Sequence, residues 1–258
     1  MSADAYIEGL RISALSLPET AKLICRHAGS EAAKIVFTLN LDHVVKMRKD
    51  VAFRAAYQRA PLITADGFPI VLACRLQGKR VNRVTGSDLI APISAEAARC
   101  GKSIYLFGSS ATVLIKASRL LQERNPGLKI AGFFAPPREF NPTSEEAIRC
   151  VAAIGGSGAD LCFVALGAPK QELFADQGRS LLPNISFVCI GAGLDFIAGA
   201  QTRAPLLMQR WGLEWLWRAF SDPRRLLYRY LLCIGTLPGI LARAVLVPRR
   251  HHIVRPPH

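Results

Sequence analysis

Leu161-Cys162-Phe163-Val164-Ala165-Leu166 is six apolar residues in a row, closed by Gly167. Ile185-Ser186-Phe187-Val188-Cys189-Ile190, closed by Gly191-Ala192-Gly193, has nearly the same form. A strand with one wet face alternates apolar and polar residues, so unbroken apolar runs belong to strands covered on both sides. Upstream, Lys34–Thr38, Leu62–Ala65, Ser103–Phe107 and Lys129–Phe133 read as further strands. Between them, Leu41 to Ala60 reads as one helix. Val113, Leu114, Ala117, Leu120 and Leu121 recur at helical spacing until Asn125-Pro126-Gly127, and Ser144 caps a helix to Ile154. Strands and helices in alternation predict a Rossmann-like α/β fold, a mostly parallel sheet flanked by helices. In such sheets ligands bind beyond the carboxyl ends of the strands.

Composition agrees with a packed globular chain. Of 258 residues half are hydrophobic and a fifth charged, which excludes a disordered or fibrous protein. The seven cysteines are scattered and no C-x-x-C occurs, so neither a zinc ribbon nor a thioredoxin motif is present. With no basic, then apolar, leader at the N-terminus, the expected location is cytosolic.

The net charge is +14, and its distribution is uneven. Residues 203–258 hold ten arginines, no lysine, and only Glu214 and Asp222 as acids. Guanidinium forks favour phosphate and diphosphate oxygens. We therefore expect two parts: an α/β core over 1–202, and a basic, amphipathic helical appendage over 203–258. In the appendage Arg203–Phe220 reads as helical, and Pro223 opens a second helix ending at Pro238-Gly239. Tyr230 to Ala242 carries no charge, but thirteen residues fall short of the ~20 needed to span a bilayer. Leu, Tyr and Trp interleaved with arginine suit a helix lying on a membrane surface.

Four strand ends carry residues that a plain core does not require. Thr38-Leu39-Asn40 places a hydroxyl and an amide at a strand tip, where they also suit the capping of the next helix. Asp66 follows the strand ending at Ala65, with Gly67 after it. That carboxylate could take a proton from a hydroxyl nucleophile, although Asp-Gly is also a common turn. Gly167-Ala168-Pro169-Lys170-Gln171-Glu172 joins a close-approach glycine to a helix start that attracts phosphate, and ordinary capping reads the same residues. Gly191-Ala192-Gly193-Leu194-Asp195-Phe196 begins like a dinucleotide fingerprint but has Phe196 where the third glycine belongs.

No P-loop, H-E-x-x-H, G-x-S-x-G or Asp-x-Asp occurs, and His27 and His43 read as surface or helix residues rather than ligands. No metal or cofactor is expected. A nicotinamide oxidoreductase lacks its complete fingerprint and its acid about 20 positions on. A nucleic-acid-binding module that uses the arginine-rich tail is the main non-enzymatic alternative. Against it, the basic residues are interleaved with large aliphatics and tryptophan.

Taken together, Thr38-x-Asn40, Ala65-Asp66-Gly67, Arg83–Leu89, Leu106-Phe107-Gly108, Ala165–Glu172, Gly191–Phe196, Ala204-Pro205, Gly212-Leu213-Glu214-Trp215, Pro223–Leu226 and Arg229-Tyr230 resemble the WecG/TagA/CpsF glycosyltransferases. The likeness runs from about Ile35 to Tyr230. It implies an inverting enzyme that moves a sugar from a UDP-sugar to a polyprenyl-diphosphate-linked saccharide on the inner face of the plasma membrane, without a metal. The products are exopolysaccharide, capsule or other cell-surface glycans, and homo-oligomers are compatible with it. The resemblance makes Asp66 the general base and Thr38 and Gln171 substrate contacts. Asn40, Gly67 and Arg83 are further substrate candidates. Gly108, Ser109, Gly167, Lys170, Gly191 and Asp195 are candidates for the uridine diphosphate. Arg218, Arg224, Arg225 and Arg229 are candidates for the lipid diphosphate or the anionic membrane surface. Two features depart from the family: Phe68-Pro69 follows the Asp-Gly pair, and the tail beyond Tyr230 is long and apolar.

Overall fold

The computed structural model describes residues 5–205, 207–208, 217 and 223–246, with side chains in the last stretch from Leu232 onward. Six strands form one parallel sheet: β3 (Ile35–Leu39), β4 (Leu62–Ala65), β5 (Ser103–Gly108), β6 (Lys129–Phe134), β7 (Leu161–Ala165) and β8 (Ser186–Cys189), in the order β4-β3-β8-β7-β5-β6. Every residue of β3, β4, β7 and β8 is buried, as their apolar runs demand.

Alternation along each strand divides the core in two. Phe37, Ile63, Phe107, Val164 and Phe187 point to one side. They pack on α2 (Leu41–Met47), α3 (Val51–Arg59), α4 (Phe68–Leu76), α7 (Glu145–Gly156) and α8 (Lys170–Leu181). Val36, Leu62, Leu106, Phe163 and Val188 point to the other. There they meet α1 (Leu17–His27), α5 (Gly86–Cys100), α6 (Ala111–Arg124) and α9 (Gly193–Ala198). A small antiparallel hairpin, β1 (Ala5–Ile7) and β2 (Leu10–Ile12), leads to the β4 edge, where Ser13 N–H donates to the Ile63 carbonyl at 2.8 Å.

Two helix boundaries differ from expectation. Residues 41–60 are not one helix: Asp50 accepts from Phe53 N–H at 2.9 Å and starts a new one, so the chain turns between α2 and α3. The last helix, α10 (Pro223–Leu246), does not end at Pro238-Gly239 but runs through both. Pro238 and Gly239 are exposed, whereas Cys233, Ile240 and Ala244 are buried. Packing on the buried side, against α2 and α4, holds the turn that proline weakens. The helix expected over Arg203–Phe220 lies largely outside the described residues. No described helix is long and apolar enough to cross a membrane.

Candidate active site at the carboxyl edge of the sheet

Parallel strands deliver their loops to one edge, and the motif residues gather there. Asn40 ends β3 and caps α2, its Oδ1 accepting from His43 N–H at 3.0 Å. Its Nδ2 donates to Asp66 Oδ2 at 3.3 Å, and Thr38 Oγ1 approaches the same oxygen at 3.5 Å. The Asp66 N–H donates to the Leu39 carbonyl at 2.8 Å, which continues the β3–β4 ladder by one residue and sets the carboxylate beside Asn40. Asp66 is half-buried. Gly67 follows at φ 95°, a conformation that a side chain resists, and turns the chain into α4. Pro69 stands in the first turn of α4, where its missing N–H would have had no helical partner. Arg83 reaches the same corner because Val84 N–H donates to the Ala65 carbonyl at 2.8 Å and Arg83 bridges Ala65 in parallel.

A second group lies at the ends of β5, β7 and β8. Gly108 has φ 110°, and a Cβ there would collide with the Ala165 carbonyl, so only glycine lets β5 and β7 end this close. Ser109 Oγ donates to Asp195 Oδ1 at 3.1 Å, joining the β5 end to α9. Gly167 and Gly191 are both at positive φ. Lys170 Nζ donates to the Arg138 carbonyl at 2.8 Å, on the loop after β6. Gln171 is 3% exposed with both ends of its amide engaged. Its Oε1 accepts from Gly191 N–H at 3.1 Å, and its Nε2 donates to Glu172 Oε1 at 2.8 Å. Because β8 neighbours β3, the two groups form one continuous edge.

Three residues have surroundings that the sequence reading did not anticipate. Glu172 is fully buried, and burial pushes its carboxyl up to about 7 against the bond from Gln171. Tyr57 is buried, and its hydroxyl donates to the Thr38 carbonyl at 2.9 Å. His43, expected at a surface or on a helix, is on α2 but only 5% exposed. Its place three residues after the Asn40 cap was the available signal.

Arg218 lies outside the described residues. Arg224, Arg225 and Arg229 fall in the first half of α10, and only their backbone is described. Among the described residues no group of three or more His, Cys, Asp or Glu could hold a metal ion.

A doubly wound α/β sheet that sets a carboxylate, an amide and a hydroxyl together at its carboxyl edge is built to handle a small polar substrate. Residues 5–251 match the glycosyl transferase WecG/TagA/CpsF family. The chain belongs to that family, and is therefore a glycosyltransferase of glycan biosynthesis acting on a sugar donor and a saccharide acceptor.

Proposed function

We propose that the chain is an inverting transferase that moves a hexose-type sugar from a UDP-sugar to a polyprenyl-diphosphate-linked saccharide. The observation carrying this reading is the convergence of Thr38 Oγ1 and Asn40 Nδ2 on one oxygen of Asp66. Two donors on one carboxylate oxygen fix its direction, which sets a general base in line with an incoming hydroxyl. Asp66 takes the proton of the acceptor hydroxyl while that oxygen attacks the anomeric carbon. The bond to UDP breaks on the opposite face, and the nucleotide leaves with the bonding pair.

Charge then accumulates on the departing diphosphate. Backbone N–H groups near Gly108, Gly167 and Gly191, together with Lys170 and Arg83, are the donors proposed to receive it. Gln171 keeps the Gly191 turn in place, and Ser109 and Asp195 bracket the nucleotide side. The appendage over 203–258 is proposed to dock the enzyme on the anionic inner membrane. In it Arg218, Arg224, Arg225 and Arg229 meet headgroups or the lipid diphosphate, and exposed Ile234, Val245 and Leu246 meet the lipid surface.

The test is UDP release across a panel of UDP-sugars, among them UDP-N-acetylmannosamine and UDP-glucose, with a polyprenyl-diphosphate glycan acceptor, with and without chelator. Acceptor-dependent release that survives chelation supports the reading. Nucleic-acid binding at physiological salt, with no turnover on any donor, overturns it.

A further inference from the structure

Behind Asp66 stands a second layer of polar contacts, and it turns on His43. This residue sits in the first turn of α2 and packs edge-on against Phe53, ring centroids 5.9 Å apart. Its backbone N–H donates to Asn40 Oδ1, the bond that caps the helix. That bond decides which end of the Asn40 carboxamide is oxygen, so Nδ2 is the donor end.

Nδ2 faces two atoms, Asp66 Oδ2 at 3.3 Å and His43 Nε2 at 3.4 Å. A donor directed at Nε2 needs a lone pair there, which places the imidazole proton on Nδ1. At Nδ1 two oxygens stand close, the Tyr57 hydroxyl at 2.7 Å and the Thr38 carbonyl at 2.8 Å. The Tyr57 hydroxyl donates in turn to that carbonyl at 2.9 Å, so its oxygen, like the carbonyl's, faces Nδ1 as an acceptor. Amide orientation, tautomer and hydroxyl direction all follow from the one capping bond. An apolar side chain of equal size would fill the space without accepting from Asn40.

We propose that His43 is a positioning residue of the transfer: as a neutral imidazole protonated on Nδ1, it holds the Asn40 carboxamide against Asp66 and so aims the base. This rests on Asp66 being the base. In this role His43 acts through Asn40.

Two carboxamide variants separate this role from simple packing. In His43→Gln the amide reaches the Nε2 position and can turn its oxygen to Asn40. In His43→Asn the amide ends at the Nδ1 position and can serve only the Thr38 carbonyl and the Tyr57 hydroxyl. With the most active UDP-sugar of the panel, His43→Gln is expected to keep kcat within about threefold of the parent, and His43→Asn to lose about 10- to 100-fold with little change in KM. Adding His43→Asn to Asn40→Ala is expected to cost nothing more in kcat.

Nitrogen-15 NMR reads the tautomer without any assay: the parent is expected to show Nδ1–H alone, and Asn40→Ala a mixture. Equal kcat for the Gln and Asn variants at matched melting temperature, or an Nε2–H tautomer in the parent, overturns the proposal. Asp66→Asn tells the two failures apart. If that variant turns over like the parent, the base assignment has failed. If it is inactive while His43→Asn is fully active, only the role of His43 has failed.

Discussion

At the scale of single residues, backbone geometry and burial make sharp demands. Gly108 combines φ 110° with a carbonyl where a Cβ would go. Gly108→Ala is expected to cost about 1–3 kcal/mol from backbone strain alone, and more from the collision, read in denaturant melts. Glu172 makes a pH prediction. Its Oε2 has no hydrogen-bond partner among the described residues, and burial lifts the carboxyl from the usual 4.5 to about 7. The folded state thus binds this proton more tightly than the unfolded chain does. Stability is full below about 4.5, falls on the order of 1.4 kcal/mol per pH unit as pH rises towards 7, and levels off above it. Glu172→Gln cannot ionise, so melts between pH 5 and 7 should lose that component of the slope. Asp66 and Asn40 were legible in the sequence because a polar residue ending an apolar strand stands out. His43 and Glu172 were not, since neither burial nor an amide's direction is written in residue order.

Among the elements, the central strands were legible for the same physical reason that they are central. A strand covered on both faces has no polar face to keep, so its apolar run is unbroken, as in β7 and β8. The helices were less so. Between α2 and α3 the break is local capping by Asp50, which helical periodicity over 41–60 hides. Asp50→Ala is expected to cost about 1 kcal/mol in thermal or chemical melts, the ordinary worth of such a cap. The helix α5 was not read from the sequence, and it carries Pro92 in its interior. Nor was α10 read through Pro238, because a local rule stops a helix at proline while burial of Ile240 and Ala244 rewards continuing it. In both helices tertiary packing outweighs local preference.

At the scale of the whole molecule, the N-terminal hairpin and α10 are tied together. Glu8, in the tight turn of the N-terminal hairpin at φ 50°, pairs with Arg48, which caps the end of α2, at 2.7 Å and with Arg243 of α10 at 3.1 Å. One carboxylate therefore links the first hairpin, the helix after Asn40 and the last helix. Each such pair contributes about 1 kcal/mol or less where exposed, so the apolar contact of α10 with α2 and α4 does most of the holding. The other side of α10 leaves Ile234, Val245 and Leu246 exposed. A chain cut after Tyr230 is expected to keep its α/β core but to float with anionic vesicles severalfold less than the parent. Unchanged flotation would remove α10 from membrane attachment.

The most direct test of the proposed chemistry is the turnover of Asp66→Asn beside the parent, by UDP release from a UDP-sugar with a polyprenyl-diphosphate glycan acceptor. The amide keeps the size of the carboxylate but cannot take the acceptor's proton. A folded variant with kcat reduced by about 10² to 10⁴ is the predicted result. A folded variant that turns over at the parent's rate would contradict a base at the end of β4.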